Sequence, residues 1–209
     1  MYSFAARLLF SALVTTVIIS CQKEVDGTIL SGGGGTPAPN QKPKVGTTWT
    51  YRYYIYHQDG SLYQSFTLTY KAKSLDTLGG ETWLRIIDVD ADTTVYYLKN
   101  KADGLYQYAN SASNLFCKDP ASLGDSYTTY NEGGPENFIV KGVKDTLPTG
   151  IGDIPVNYYE GFKSSVLIDL VWYNEYAWIV RKSQYRNRSL IPPPFWYKYS
   201  TLFLDKIVY

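Results

Sequence analysis

Few residues in this chain have the type and spacing that chemistry needs. His57 is the single histidine. A metal site would need other strong ligands beside it and a triad an activated Ser or Cys, yet neither Gly-x-Ser-x-Gly nor His-Glu-x-x-His occurs. It is expected at a solvent-facing strand end. Asp88, Asp90 and Asp92 place carboxylates at alternate positions, as a calcium loop begins, but Thr93 and Lys99 stand where that loop needs Gly and Glu. An acidic turn after a strand is expected, with no metal. Asp153, Glu160, Asp169 and Glu175 could supply two facing acids ~5 to ~9.5 Å apart, the layout of glycoside hydrolysis. No motif selects a pair, so no catalytic residue is assigned and no cofactor is implied.

The most distinctive stretch runs from Arg181 to Tyr199, where four basic residues lead into Pro192-Pro193-Pro194 and then Phe195-Trp196-Tyr197-Lys198-Tyr199. One reading is a long connection whose aromatics cover an open end of a sheet core. The other is a recognition loop in which Phe195, Trp196, Tyr197 and Tyr199 contact a ligand, stacking on sugar rings or partner side chains while proline limits the entropy lost on binding.

Both cysteines bear on the address. Cys21 ends a segment in which Arg7 precedes an apolar run from Leu8 to Ile19 and a small residue, Ser20. That is the layout of an export signal, helical and too short for the ~20 residues that cross a bilayer. An ordinary secretory signal cut elsewhere, or an uncleaved anchor, would share these features. Ile18-Ile19-Ser20-Cys21 resembles the lipobox of bacterial lipoproteins, which implies cleavage before Cys21 and a diacylglycerol on its sulfur. Two or three acyl chains hold a protein to a membrane where one is marginal, each buried methylene adding ~0.8 kcal/mol. Gln22 at the next position implies the outer membrane, and Lys23-Glu24-Val25-Asp26 resembles the charged surface-export signal of Bacteroidota lipoproteins. Cys117 then has no partner and is expected as a small buried apolar residue.

Residues 22–44 carry four consecutive glycines followed by prolines, a spacer rather than a core. The expected organisation is a signal over 1–20, a tether over 21–44 and one domain over 45–209. Removing residues 1–20 removes Arg7 alone, leaving 19 basic and 19 acidic residues. A neutral domain offers no footprint for a polyphosphate, which excludes nucleic acid as a partner. The composition stands out for its 21 Tyr, 5 Trp and 8 Phe against one Met. Tyrosine suits a pleated, half-buried surface, so strand should dominate.

Alternation bears this out along the chain. Trp49, Tyr51, Tyr53 and Ile55 share a face, Asp59-Gly60 makes a turn, and Leu62, Phe66, Leu68 and Tyr70 follow with the same period of two. Gly79-Gly80 and Asp103-Gly104 mark further turns, and the pattern lapses from Ala109 to Leu123, where a loop or short helical turn is expected. Strands resume from Tyr127 to Tyr209. The expected fold is all-β, an antiparallel meander forming an open barrel or sandwich. Gly46-x-x-Trp49-x-Tyr51, Leu123-Gly124-Asp125-Ser126-Tyr127, Trp172-Tyr173 and the closing Leu204-Asp205-Lys206-Ile207 resemble a group of uncharacterised β-rich bacterial lipoproteins, with Trp178 where glycine is common. The expected function is a noncatalytic, membrane-anchored binding or structural module of the outer membrane or cell surface, its partner an envelope protein or, alternatively, a captured glycan.

Overall fold

The computed structural model describes residues 40–131, 134–187 and 196–209, so Cys21 and Phe195 lie outside them. Twelve antiparallel strands form one sheet that curls into a nearly closed barrel. The first half comprises β1 (Thr48–Tyr56), β2 (Leu62–Leu78), β3 (Glu81–Asp88), β4 (Thr93–Lys101), β5 (Gly104–Ala109) and β6 (Ala112–Lys118). The second comprises β7 (Ser126–Asn131), β8 (Gly134–Thr149), β9 (Gly152–Lys163), β10 (Val166–Asn174), β11 (Trp178–Asn187) and β12 (Trp196–Val208). Each strand pairs with its neighbour in sequence except at one place, and β1 pairs with β12. The exception is β6 and β7, which face each other across a seam with no backbone ladder.

The turns follow from local sequence. Asn110 and Ser111 both take positive φ (52° and 59°), as do Ser164 and Ser165 (50° and 66°), giving two-residue hairpins whose twist matches that of strands. The first pair joins β5 to β6, so strand occupies 112–118 where a loop was expected. Ser113, Leu115 and Cys117 alternate there with polar or aromatic neighbours, too short a run to announce itself.

Inward side chains fill the barrel. Trp49, Tyr51, Leu98, Leu105, Phe138, Val140, Tyr159, Val171, Val180 and Leu204 are all buried. Gly161 sits where a Cβ would lie 2.7 Å from the Phe138 ring, so the residue is small because the ring occupies its place. The Trp49 indole stacks on Trp178 at 5.5 Å and donates from Nε1 to Ala177 O at 3.0 Å. Trp178 itself holds φ +63°, the left-handed region that favours glycine. Its backbone is fixed by Asn174, whose Oδ1 accepts from the amides of Tyr176 and Ala177. The buried stacking offsets that strain.

Aromatics also line the outer surface. Tyr158, Trp172, Arg181, Phe203 and Arg52 stand directly opposite one another on β9, β10, β11, β12 and β1. Tyr158 stacks on Trp172 at 4.7 Å and the Arg181 guanidinium lies 4.7 Å from the Trp172 ring, so cation and ring alternate from Trp172 to Arg52.

Side chains bridge the seam. The Tyr127 hydroxyl on β7 donates to Phe116 O at 2.8 Å, the Tyr159 hydroxyl on β9 donates to Lys118 O at 2.5 Å, and Lys118 Nζ meets Asp125 at 2.8 Å. Burial pushes both tyrosine hydroxyls well above their ordinary range, so they stay protonated donors. Cys117 lies fully buried beside them, its thiol likewise pushed up by burial, which leaves it inert. Removing either hydroxyl strands a carbonyl of β6. Tyr127→Phe and Tyr159→Phe are each expected to cost ~1–3 kcal/mol in urea unfolding and to speed amide exchange in β6 above all other strands. Unchanged exchange in β6 would show that the seam does not depend on these two bonds.

Candidate functional site

At the barrel end where the described chain begins, a cleft of about 280 Å³ opens between three connections, lined among others by Lys42, Asn100, Ala102, Asp119, Tyr173 and Glu175. The β4–β5 turn forms one wall, because Lys101 pairs with Gly104 and only Ala102 and Asp103 intervene. The β6–β7 connection forms the second and is tied to the first by Asp119 N donating to Asp103 O at 2.9 Å. The β10–β11 turn forms the third. There the Asn174 side chain holds Tyr176 and Ala177, and its Nδ2 also donates to Pro155 O at 2.8 Å, so Glu175 projects from a fixed backbone.

The electrostatics of the cleft are unbalanced. Asp119 accepts from Asn157 Nδ2 at 3.3 Å, but burial and the negative charge of Glu175 hold its carboxyl above the usual carboxylate range. Lys42 and Lys144 oppose this only in part. Glu175 meets Lys42 Nζ at 3.4 Å, and both side chains are substantially exposed. Lys101 turns away, binding Glu81 at 3.0 Å and Ser113 at 3.0 Å. Tyr173 forms part of the floor. It is 2 % exposed, burial raises its hydroxyl well above the ordinary range with further contributions from Cys117, Asp119 and Glu175, and among the described residues that hydroxyl has no hydrogen-bond partner. Two acids, a tyrosine hydroxyl and an exposed lysine thus line one cleft.

The residues picked out by sequence fall elsewhere. Trp196, Tyr197 and Tyr199 begin β12 at the opposite barrel end, so this part of the aromatic run is strand rather than loop. Trp196 pairs with Asn187 and Tyr197 with Arg186, and the Arg186 guanidinium lies 3.5 Å from the Tyr199 ring centre, covering one face. His57 packs edge-on against Tyr63 at 4.9 Å. Of the four acids, Glu160 accepts from the Tyr158 hydroxyl at 3.0 Å, Asp153 is exposed, and Asp169 points inward. Only Glu175 reaches the cleft. Asp119 was not singled out, since Lys118-Asp119-Pro120 reads as an ordinary loop and the side chain that binds its carboxyl, Asn157, is 38 residues away. Among the described residues no group of three or more His, Cys, Asp and Glu side chains is arranged to hold a metal ion.

No family model and no curated protein matches the chain. One solved structure resembles it in outline. That structure is a Bacteroides fragilis protein, provisionally described as exported and as having a YmcC-like fold, at 14% identity and a TM-score of 0.45, covering 83% of this chain and 100% of that one. At that overlap the likeness carries no argument about activity.

A second polar group lies inside the barrel. Lys182 on β11 meets Asp169 on β10 at 3.2 Å, with side chains 15% and 7% exposed, and Glu136 on β8 is buried nearby. Burial alone would lower the Lys182 ammonium, but Asp169, Tyr96 and Glu136 outweigh it and hold the group charged above its ordinary range. Between Trp49, Tyr51, Tyr70, Tyr96, Trp178 and Leu202 the apolar interior holds a void of about 20 Å³, room for one water.

The two polar groups should behave oppositely. Lys182→Met leaves buried carboxylates without their cation and is expected to cost ~3–5 kcal/mol in urea unfolding. Asp119 is held above the unfolded value, so the folded state binds more protons and stability falls as pH rises from the acid range through the raised value. Asp119→Asn should therefore raise the melting temperature at pH 7, with the gain vanishing below about pH 4, where the wild-type carboxyl is protonated in both states. A lower melting temperature at pH 7 would mean that Asp119 is structural.

Proposed function

We propose that this chain is a lipid-anchored, noncatalytic binding module of the outer envelope, tethered through Cys21 and presenting the cleft at the mouth of its barrel. The observation that carries the binding half is the chemistry of that cleft: a carboxyl kept above its usual range by burial and a like charge, beside about 280 Å³ of space and a tyrosine hydroxyl with no hydrogen-bond partner among the described residues. The address is supported by the lipobox-like Ile18-Ile19-Ser20-Cys21 and the polar spacer behind it. The partner on this reading is an envelope glycan or envelope protein, with nucleic acid disfavoured by the balanced charge.

A hydrolase is the second reading, and one observation favours it. A carboxyl held above its usual range near a second carboxylate is the composition of a glycosidase acid and base. Against it, Lys42 already occupies Glu175, and both of those side chains lie on the surface.

Two experiments decide. Cys21→Ser should move the protein from the membrane fraction to the soluble one, and mass spectrometry of the wild type should find acyl chains on the new N-terminus. Retention of the variant in the membrane would overturn the anchor. On a glycan array and against isolated envelope fractions, binding should be lost in Glu175→Gln with no release of reducing ends. Turnover abolished by the same substitution would favour the hydrolase instead.

A further inference from the structure

The cleft also states what kind of molecule it takes. Its two acids belong to different turns, Asp119 on the β6–β7 connection and Glu175 on the β10–β11 turn, and the charge of Glu175 raises the cost of ionising Asp119. A positive charge placed between them relieves that repulsion. The chain supplies one: Lys42, which precedes the first strand, lines the cleft and holds its ammonium 3.4 Å from Glu175. Its side chain is 57% exposed and makes no other ion pair among the described residues, so it occupies the position without being locked there. An exposed pair of this kind contributes at most about 1 kcal/mol, little enough for a better-fitting cation to displace it.

Tyr173, a buried residue whose hydroxyl has no hydrogen-bond partner among the described residues, lines the same space with Asn100. Together these call for an ammonium group and for hydroxyls on the same small molecule. The volume of about 280 Å³ sits at the low end of ligand sites, the size of one monosaccharide rather than of a peptide or lipid.

We infer that the mouth cleft binds a small polyhydroxylated amine of amino-monosaccharide size, its ammonium between Asp119 and Glu175 and a hydroxyl on Tyr173, and that Lys42 is the internal competitor it displaces. This deepens the binding-module reading and rests on it.

The test uses the full-length protein in detergent, with glucosamine as the probe and glucose and N-acetylglucosamine as neutral controls, read by calorimetry and by the shift in melting temperature. Glucosamine should bind and both controls fail. Lys42→Ala should bind glucosamine severalfold more tightly, and Glu175→Gln and Tyr173→Phe should each weaken it by roughly tenfold or more, the loss of one hydrogen bond to a charged or buried group. Tyr173→Phe removes a hydroxyl that has no hydrogen-bond partner among the described residues, so it should fold as the wild type does and keeps the test interpretable if Glu175→Gln does not. Equal responses to glucosamine and glucose, or unchanged glucosamine affinity in Tyr173→Phe and Lys42→Ala, would overturn the inference. Array binding to neutral glycans that depends on Glu175, with glucosamine silent, would overturn the amine and leave the binding module standing. Silence of array, envelope fractions and glucosamine alike would bring down both.

Discussion

The pairing of the first strand with the last governs this molecule. Trp49 opposite Ile207 and Ile55 opposite Ser200 zip β1 onto β12, and Arg52 ties across the same pair to Asp205 at 3.0 Å. Once the chain's two ends are joined, the ladder can break only where the two halves of the meander meet, between β6 and β7. A sheet edge exposes unpaired donors and acceptors. Here the tyrosine hydroxyls of the facing wall reach carbonyls of that edge, so a side-chain contact does locally what a backbone ladder does elsewhere. The high tyrosine content has this structural use, and an aliphatic residue of similar size could not replace it.

Closure also gathers the cleft. Its walls come from turns far apart in sequence, and they converge because the barrel brings the β4–β5, β6–β7 and β10–β11 connections to one rim. Rim and interior hold different kinds of charge. Lys182 and Asp169 are sealed between packed rings and match each other, whereas Asp119 and Glu175 are alike in sign and offset only by a surface lysine. The first arrangement serves the fold and the second costs it.

Much of the architecture was legible because it is written in local pattern. The alternation from Trp49 to Ile55, the Asp59-Gly60 turn and the Gly79-Gly80 turn identify the first hairpins within a residue or two. Residues 112–118 escaped because the strand is brief and its turn is Asn110-Ser111 rather than a glycine pair. The site was far less visible. Glu175 was among four plausible acids, and nothing near it in sequence says that Asp119 faces it. The aromatics drew attention instead, yet a chain this rich in rings spends them on both sides of its sheet. Trp172 and Tyr158 stack on each other outside, and Trp49 and Trp178 do so inside, so density of rings marks packing as readily as recognition.

The position of the seam has a topological consequence. The start of β1 and the end of β12 pair with each other at one rim, while the single discontinuity among the described strands lies midway along the sheet order. Joining the old ends by a short linker and cutting within 119–125 would yield a circular permutant that starts at β7, finishes at β6 and preserves every existing ladder. In that ordering the molecule is a plain up-and-down barrel whose termini flank its one gap, and the natural chain is the same barrel entered halfway round.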